Sequence, residues 1–521
     1  MATIFRIALA DFMERVRRTG FLVAILLTIL LGCMFSPPSD GGYVTLVFDR
    51  YVGVYNSAWM GMSVAISTIV FFSLIGFYLV ANAIGLDARS GVGQLVAASS
   101  VGRTKYVLGK YFSNLAILGV IVMLLMVMAF IMQLMRGEST AIHIWELVSP
   151  FLLLVLPLMA LVAAAAIWFE IVPWLRGTVG TVVYFVIWIS SIFLSRKPIP
   201  LGHYLTLSDP YGQKIPIDSI AQVVHKQFPD YNGNISQGLT LLEEPVRKFV
   251  WEGIDWTAPL VAGRLLWVFV AFALAGTAAI FFRGFRDERA ITMQVNKTRT
   301  EAGAGNVSDV GEAFISGMAL DSVQVKAAFL PVLRAELRLM FSGLRWWLFG
   351  ACSLLILGFV LSPDASTRFV LPLVWIWPLA LWSAMGSREI RFETEDLLYS
   401  SPFGARWLLT ATWLSGILVA LLTSLGIGMR LLASGEWEPL LAWLVAAVFI
   451  PTFALVCGVW SQNRRTFEIL YLALWFLGPL NRMPIFNFMD LRDSRQPFIY
   501  SAAAVLLYVA AVIGRKAKMN R

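Results

Sequence analysis

Long apolar blocks separated by short charged segments run through the whole sequence. Blocks such as Leu115–Met135, Leu147–Phe169 and Leu260–Phe282 are long enough to cross a hydrocarbon core of ~30 Å as helices. Lipid cannot satisfy backbone N–H and C=O groups, so helix is the conformation these blocks must take. Continuous apolar blocks also differ from the short alternating strands of a membrane β-barrel. The pattern predicts spans near 21–35, 58–84, 112–135, 147–169, 177–194 and 259–282. A second set is predicted near 346–361, 369–386, 407–432, 439–460, 467–481 and 498–514. The expected fold class is therefore an all-α integral membrane protein of about twelve helices.

Two segments have a different period. In residues 4–17, Ile4, Phe5, Ala8, Leu9, Phe12 and Val16 recur at helical spacing, and Arg6, Asp11, Glu14, Arg15 and Arg17 fall largely on other faces. From Val332 to Phe341, Leu333, Leu337 and Met340 alternate in the same way with Arg334, Glu336 and Arg338. Such helices are expected to lie in the membrane interface. Phe5, Phe12 and Arg15 mark the first, and Glu336 and Arg338 the second.

The two segments open two similar series: an amphipathic segment, one span, an outer loop, a second span, then a charged loop entering a third span. A shift of 302 residues matches Arg89 with Arg391, Leu95 with Leu397, Ser99 with Ser401, Gly102 with Gly404 and Ser113 with Ser415. The series predict two parallel six-helix halves, residues 1–282 and 331–521. A cytoplasmic linker at 283–330 joins them, its middle rich in Gly, Ala and polar residues and expected to be mobile. Parallel repeats place a substrate path at their interface.

Composition agrees with the pattern. The chain of 521 residues is 58% hydrophobic and 14% charged, with a mean hydropathy of +0.74, against roughly 25% charged in an ordinary soluble domain. With a cytoplasmic amino terminus, the inner segments hold 27 of the 41 Lys and Arg residues and the outer segments 14, as the positive-inside rule requires. The basic balance thus belongs to topology and anionic membrane lipid, with no nucleic-acid partner expected. Both termini are expected inside a bacterial inner membrane, with no cleaved signal peptide. Cys33, Cys352 and Cys457 all lie in apolar blocks and form neither a disulfide framework nor a metal-ligand spacing.

The chemistry expected of the chain is narrow. No Gly-x-x-x-x-Gly-Lys-[Ser/Thr] run is present, so a phosphate-cradling loop would have to come from another chain. Intramembrane acids and histidines that relay protons are scarce. His143, His203 and His225 fall in outer segments, and Glu170 sits at a span end near Arg176, where capping is the simplest role. The segment 195–258 is long for a connector and carries Tyr204, Tyr211, Phe228, Tyr231, Phe249, Trp251 and Trp256. It is expected to form a small periplasmic subdomain open to a cargo or partner.

The amphipathic starts, the charged loops and the turns Ser99-Ser100-Val101-Gly102-Arg103 and Ser400-Ser401-Pro402-Phe403-Gly404-Ala405-Arg406 together resemble the ABC-2 type permease family. The family's acidic loop pattern is kept in part, as Asp87-Ala88-Arg89-Ser90-Gly91 and as Glu393-Thr394-Glu395-Asp396, the second without glycine. The resemblance implies a transport subunit without enzymatic activity of its own, exporting a substrate with ATP and Mg bound on a separate ATPase, two copies per chain. It implies ATPase contact at Gly102, Arg103, Gly404 and Arg406, with Asp87, Arg89, Glu389 and Arg391 nearby. A gradient-driven carrier of twelve helices is the alternative.

Overall fold

The computed structural model describes residues 2–38, 43–176, 178–195, 209–241, 246–285, 329–342, 345–362, 366–392, 394–395, 398, 404–480, 486–489 and 495–519. Nearly all of the expected 283–330 linker lies outside them. The chain forms two compact units, Met1–Met318 and Ala319–Arg521. Seven helices are long and apolar enough to cross a membrane, and shorter apolar helices lie at Ala24–Phe35, Gly180–Ile192, Trp347–Val360 and Leu371–Trp382. The protein is a helical membrane protein.

The first unit begins with α1 (Ala2–Val16) and α2 (Thr19–Phe35), followed by strands β1 (Tyr43–Phe48) and β2 (Tyr51–Gly53). Helix α3 (Ser57–Val80) starts where the Asn56 side chain accepts from Trp59 N at 2.8 Å, a standard N-terminal cap. It is buried along almost its whole length, with α2, α6 (Arg103–Arg136), α7 (Ile144–Pro150), α8 (Leu156–Ile171) and α9 (Thr178–Ser195) packed against it. The α9 contact is polar as well as aromatic. Tyr184 Oη donates to Ser73 O at 2.6 Å, Trp188 Nε1 donates to Ser73 Oγ at 2.8 Å, and Tyr184 stacks on Phe77. Between α7 and α8, residues Phe151–Val155 widen into a π turn beside Pro150, whose missing N–H leaves the ladder free to loosen. Short helices α4 (Ala83–Ser90) and α5 (Val92–Ala98) carry the loop between α3 and α6. Helix α11 (Ala258–Phe281) closes the unit against α6 and α8.

A small sheet adds to this helical architecture. Strands β3 (Ile235–Leu241) and β4 (Arg247–Phe249) join β1 and β2 in a four-stranded sheet of order β3-β1-β2-β4. The β1 pairings are antiparallel and β2–β4 is parallel. The sheet is built from segments that lie between the apolar blocks. The β1 run YVTLVF has the β-branched and aromatic make-up of a strand, hidden in the sequence by the greater apolarity of the blocks around it. Helix α10 (Lys214–Gln227) completes this subdomain: Trp251 Nε1 donates to Ser219 Oγ at 3.2 Å, and Asn56 Nδ2 to Trp251 O at 2.8 Å. The two outer loops expected at 36–57 and 195–258 thus build one body.

The second unit consists of α12 (Phe329–Phe341), α13 (Arg345–Val360), a π turn at Ser366–Val370, α14 (Leu371–Ile376), α15 (Leu379–Trp382) and α16 (Arg388–Arg391). They are followed by α17 (Gly404–Ser434), α18 (Trp437–Ser461), α19 (Arg464–Trp475), a π turn at Phe476–Leu480 and α20 (Gln496–Met519). Tryptophan indoles hold it together by donating to backbone carbonyls. Trp347 and Trp377 do so reciprocally at 3.0 Å, Trp475 reaches Pro372 O at 3.0 Å and Trp382 reaches Gly416 O at 3.1 Å.

Both units cap the carboxyl end of their first apolar helix with an arginine from their third. Arg136 of α6 donates to Cys33 O at 3.0 Å and to Ser36 O. Arg430 of α17 donates to Phe359 O and Leu361 O. A guanidinium supplies what a helix carboxyl end lacks, donors for its last carbonyls and a cation at the negative end of its dipole.

Candidate functional site: two buried charged junctions

Helix α1 is inside out by the standard of a soluble protein. Phe5 is 68% exposed while Asp11 is 6% exposed; Leu9 and Met13 are also exposed, and Phe12 is half-buried. Such a helix suits lipid on one side and a polar contact with protein on the other. The contact is with the first turns of α6. Gly109 is required there, since a Cβ would lie 2.6 Å from Ile7 Cγ2.

Asp11 is the hub. Lys110 Nζ donates to Asp11 Oδ1 at 2.6 Å, Ser113 Oγ donates to Oδ2 at 2.6 Å, and Arg15 Nη2 lies 2.7 Å from Oδ2. Lys110 Nζ also lies 2.7 Å from Asp87 Oδ2, and Tyr106 Oη donates to the same oxygen at 2.6 Å. Arg15 Nη1 donates to Asn114 Oδ1 at 2.8 Å. Two carboxylates and two cations therefore form a neutral group that joins α1, α4 and α6. Neutral pairing with added hydrogen bonds is the condition under which ions stay charged out of water.

The second unit holds a group of the same charge. Arg388 Nη1 donates to Glu336 Oε2 at 3.3 Å, Thr412 Oγ1 donates to the same oxygen at 3.3 Å, and Arg515 Nη1 donates to Glu389 Oε1 at 3.3 Å. Burial pushes the Glu336 carboxyl up from the ordinary carboxylate range, with Arg388 opposing the rise. Helix α12 buries Leu333, Glu336 and Met340 and exposes Leu330, Arg338 and Leu339. The same offset of 302 that pairs Arg89 with Arg391 pairs Asp87 with Glu389 and Lys110 with Thr412. The acids hold their places in the two units while the cations come from different elements.

A second feature sits beside the first junction. Asn82 takes a left-handed φ of 81° and ends α3. The Glu170 carboxylate, at the end of α8, accepts from the freed N–H groups of Ala83 (2.8 Å), Ile84 (2.7 Å) and Gly85 (3.1 Å). Glu170 is thus a cap for α4, and Arg176 Nε donates to its main-chain carbonyl at 2.7 Å.

The sequence-predicted residues divide. Gly102 and Arg103 are exposed immediately before and at the start of α6, and Gly404 opens α17. Asp87 and Glu389 are buried in the junctions. The side chains of Arg89, Arg391 and Arg406 lie outside the described residues. Lys110, Tyr106, Arg388 and Arg515 were missed as site residues. The signal for Lys110 was a lysine at the edge of an apolar span. Arg515, in the basic run at the carboxyl end, turns inward to Glu389. Among the described residues no group of three or more His, Cys, Asp or Glu is placed to hold a metal. The chain matches no protein-family model, no curated protein and no solved structure.

Proposed function

We propose that the chain is the membrane-spanning permease subunit of an ATP-powered exporter of ABC-2 type. ATP and Mg belong to separate ATPase subunits, two per chain. The observation that supports this reading most is the pair of junctions. In each unit a buried acid on an amphipathic helix is held at the base of a long apolar helix, by Lys110 and Ser113 of α6 in the first and by Thr412 of α17 with Arg388 in the second, and in the first unit the exposed Gly102 and Arg103 lead into that helix. A partner pressing on the turn moves both helices together, because separating them would leave ions unpaired in a water-poor setting. In this reading the four shorter apolar helices and α19 with its π turn also cross the membrane, giving twelve crossings as two parallel repeats. Both termini then lie in the cytoplasm of a bacterial cell, and the sheet subdomain faces the periplasm.

The gradient-driven alternative draws support from the buried carboxylates themselves. Each of them, however, is engaged by a cation in a junction that fastens helices together. Reversing Arg103 and Arg406 to Glu tests the ATPase contact. The double variant should insert normally yet lose its ATPase on purification or hydrolyse ATP without coupling. Retention of the partner with unchanged coupling would remove these turns from the contact.

A further inference from the structure

At the sheet-bearing end of the first unit, Arg264 lies within the first two turns of α11 and is 3% exposed. Its Nη2 donates to Asp209 O at 2.9 Å. Its Nε and Nη1 have no hydrogen-bond partner among the described residues. The Asp209 carboxylate does not fill the gap, being taken by Gly212 N at 2.9 Å and Lys214 N at 3.1 Å. Gly212, with φ of 70°, lies against the guanidinium, and a Cβ there would come 2.4 Å from Nη1. The next residue, Gln213, is fully buried, and neither its Oε1 nor its Nε2 has a hydrogen-bond partner among the described residues.

A buried guanidinium with idle donors and a buried amide with neither end used are each costly, and an ionised side chain inside a span points to function. Both shortages are met by one kind of guest. We propose that Arg264 and Gln213 form a binding site for an oxyanion, the carboxylate or phosphate of a small molecule or of a lipid headgroup. Arg264 supplies the charge and in-plane donors. The Gln213 amide N–H donates to the same oxyanion, and its carbonyl takes a neighbouring ligand N–H or O–H. The Gly212 backbone lets the loop close over the guanidinium. The site lies in the first unit alone and is independent of how the chain is powered.

The test uses the full chain in nanodiscs. In phosphatidylcholine discs, equilibrium dialysis measures binding of labelled inorganic phosphate and acetate. In discs containing phosphatidylglycerol, native mass spectrometry counts retained anionic lipid. Saturable binding of one oxyanion per chain is expected in one arm, and which arm responds separates a soluble ligand from a headgroup. Arg264→Gln should weaken it about tenfold or more, the scale of a lost charged hydrogen bond, and Arg264→Lys should restore part of it. If Arg264→Gln does not fold, Gln213→Leu, which removes no charge, must weaken binding several-fold. No saturable binding in either arm, or binding unchanged by the folded variants, would overturn the site.

Discussion

The two junctions hold the same charges by different means. In the first unit both cations come from helices already in contact, α1 and α6, and Lys110 bridges both acids at 2.6 and 2.7 Å. In the second unit Thr412 stands where Lys110 would, and the cations come from the loop helix α16 and the last turns of α20, both at 3.3 Å. The first junction is tight and local; the second is looser and draws in the carboxyl-terminal helix. A similar contrast appears where the fourth apolar helix meets the break after the second. The first unit uses the Glu170 carboxylate. The second uses contact, since a Cβ on Gly458 would come 1.9 Å from Met385 O. A required balance of charge can thus be kept while its donors move along the chain.

The largest test of this contrast is Lys110→Met. It leaves two acids against one arginine and should destabilise the protein by about 3–5 kcal/mol, the usual cost of breaking a buried pair. Arg388→Met, whose side chain is 19% exposed with a longer contact, should cost less, about 1–3 kcal/mol after solvent screening. Thermal unfolding of the detergent-purified variants compares them; equal losses would erase the difference between the junctions. Gly458→Ala should cost about 1–3 kcal/mol through overpacking against main chain, which retention of folded protein on heating will read.

Glu170→Gln keeps the shape but removes the charge that three N–H groups share, and should cost about 1–2 kcal/mol. Amide exchange at residues 83–85 should rise in this variant. The smallest effect concerns Asp218, half-buried in α10, whose carboxyl is pushed up chiefly by burial, with Lys214 opposing. An acid with a raised folded pKa binds its proton more tightly when folded. Stability therefore falls as pH rises from the ordinary carboxylate range through the raised value. Asp218→Asn should flatten that part of the profile; an unchanged profile would mean the group does not contribute.

The apolar helices were legible in the sequence because lipid imposes a simple rule, long and apolar. Helices lie at the predicted spans, seven of them long and apolar enough to cross a membrane, and those at 147–169, 369–386 and 467–481 carry π turns or breaks at or near Pro150, Pro372, Pro378 and Pro479. The amphipathic helices were legible from spacing, but not which face turned inward. Asp11 and Glu336 looked like solvated polar positions, and only their partners, far away in sequence, reverse that reading. The sheet was hidden because β1 is short and pairs with a strand nearly two hundred residues later, with helices α3 to α10 between them. Arg264 stood out only as a charge within the predicted span 259–282 and Gln213 gave no sequence signal, since what surrounds a buried polar group is set by the fold.

Gentle purification of the tagged chain from its native membrane, with crosslinking before solubilisation and an assay of ATP hydrolysis, tests the proposed function most directly. The account predicts a P-loop ATPase at two copies per chain, with vanadate-sensitive turnover. A chain that crosslinks to no such partner and purifies without nucleotide turnover would contradict it and favour a gradient-driven carrier.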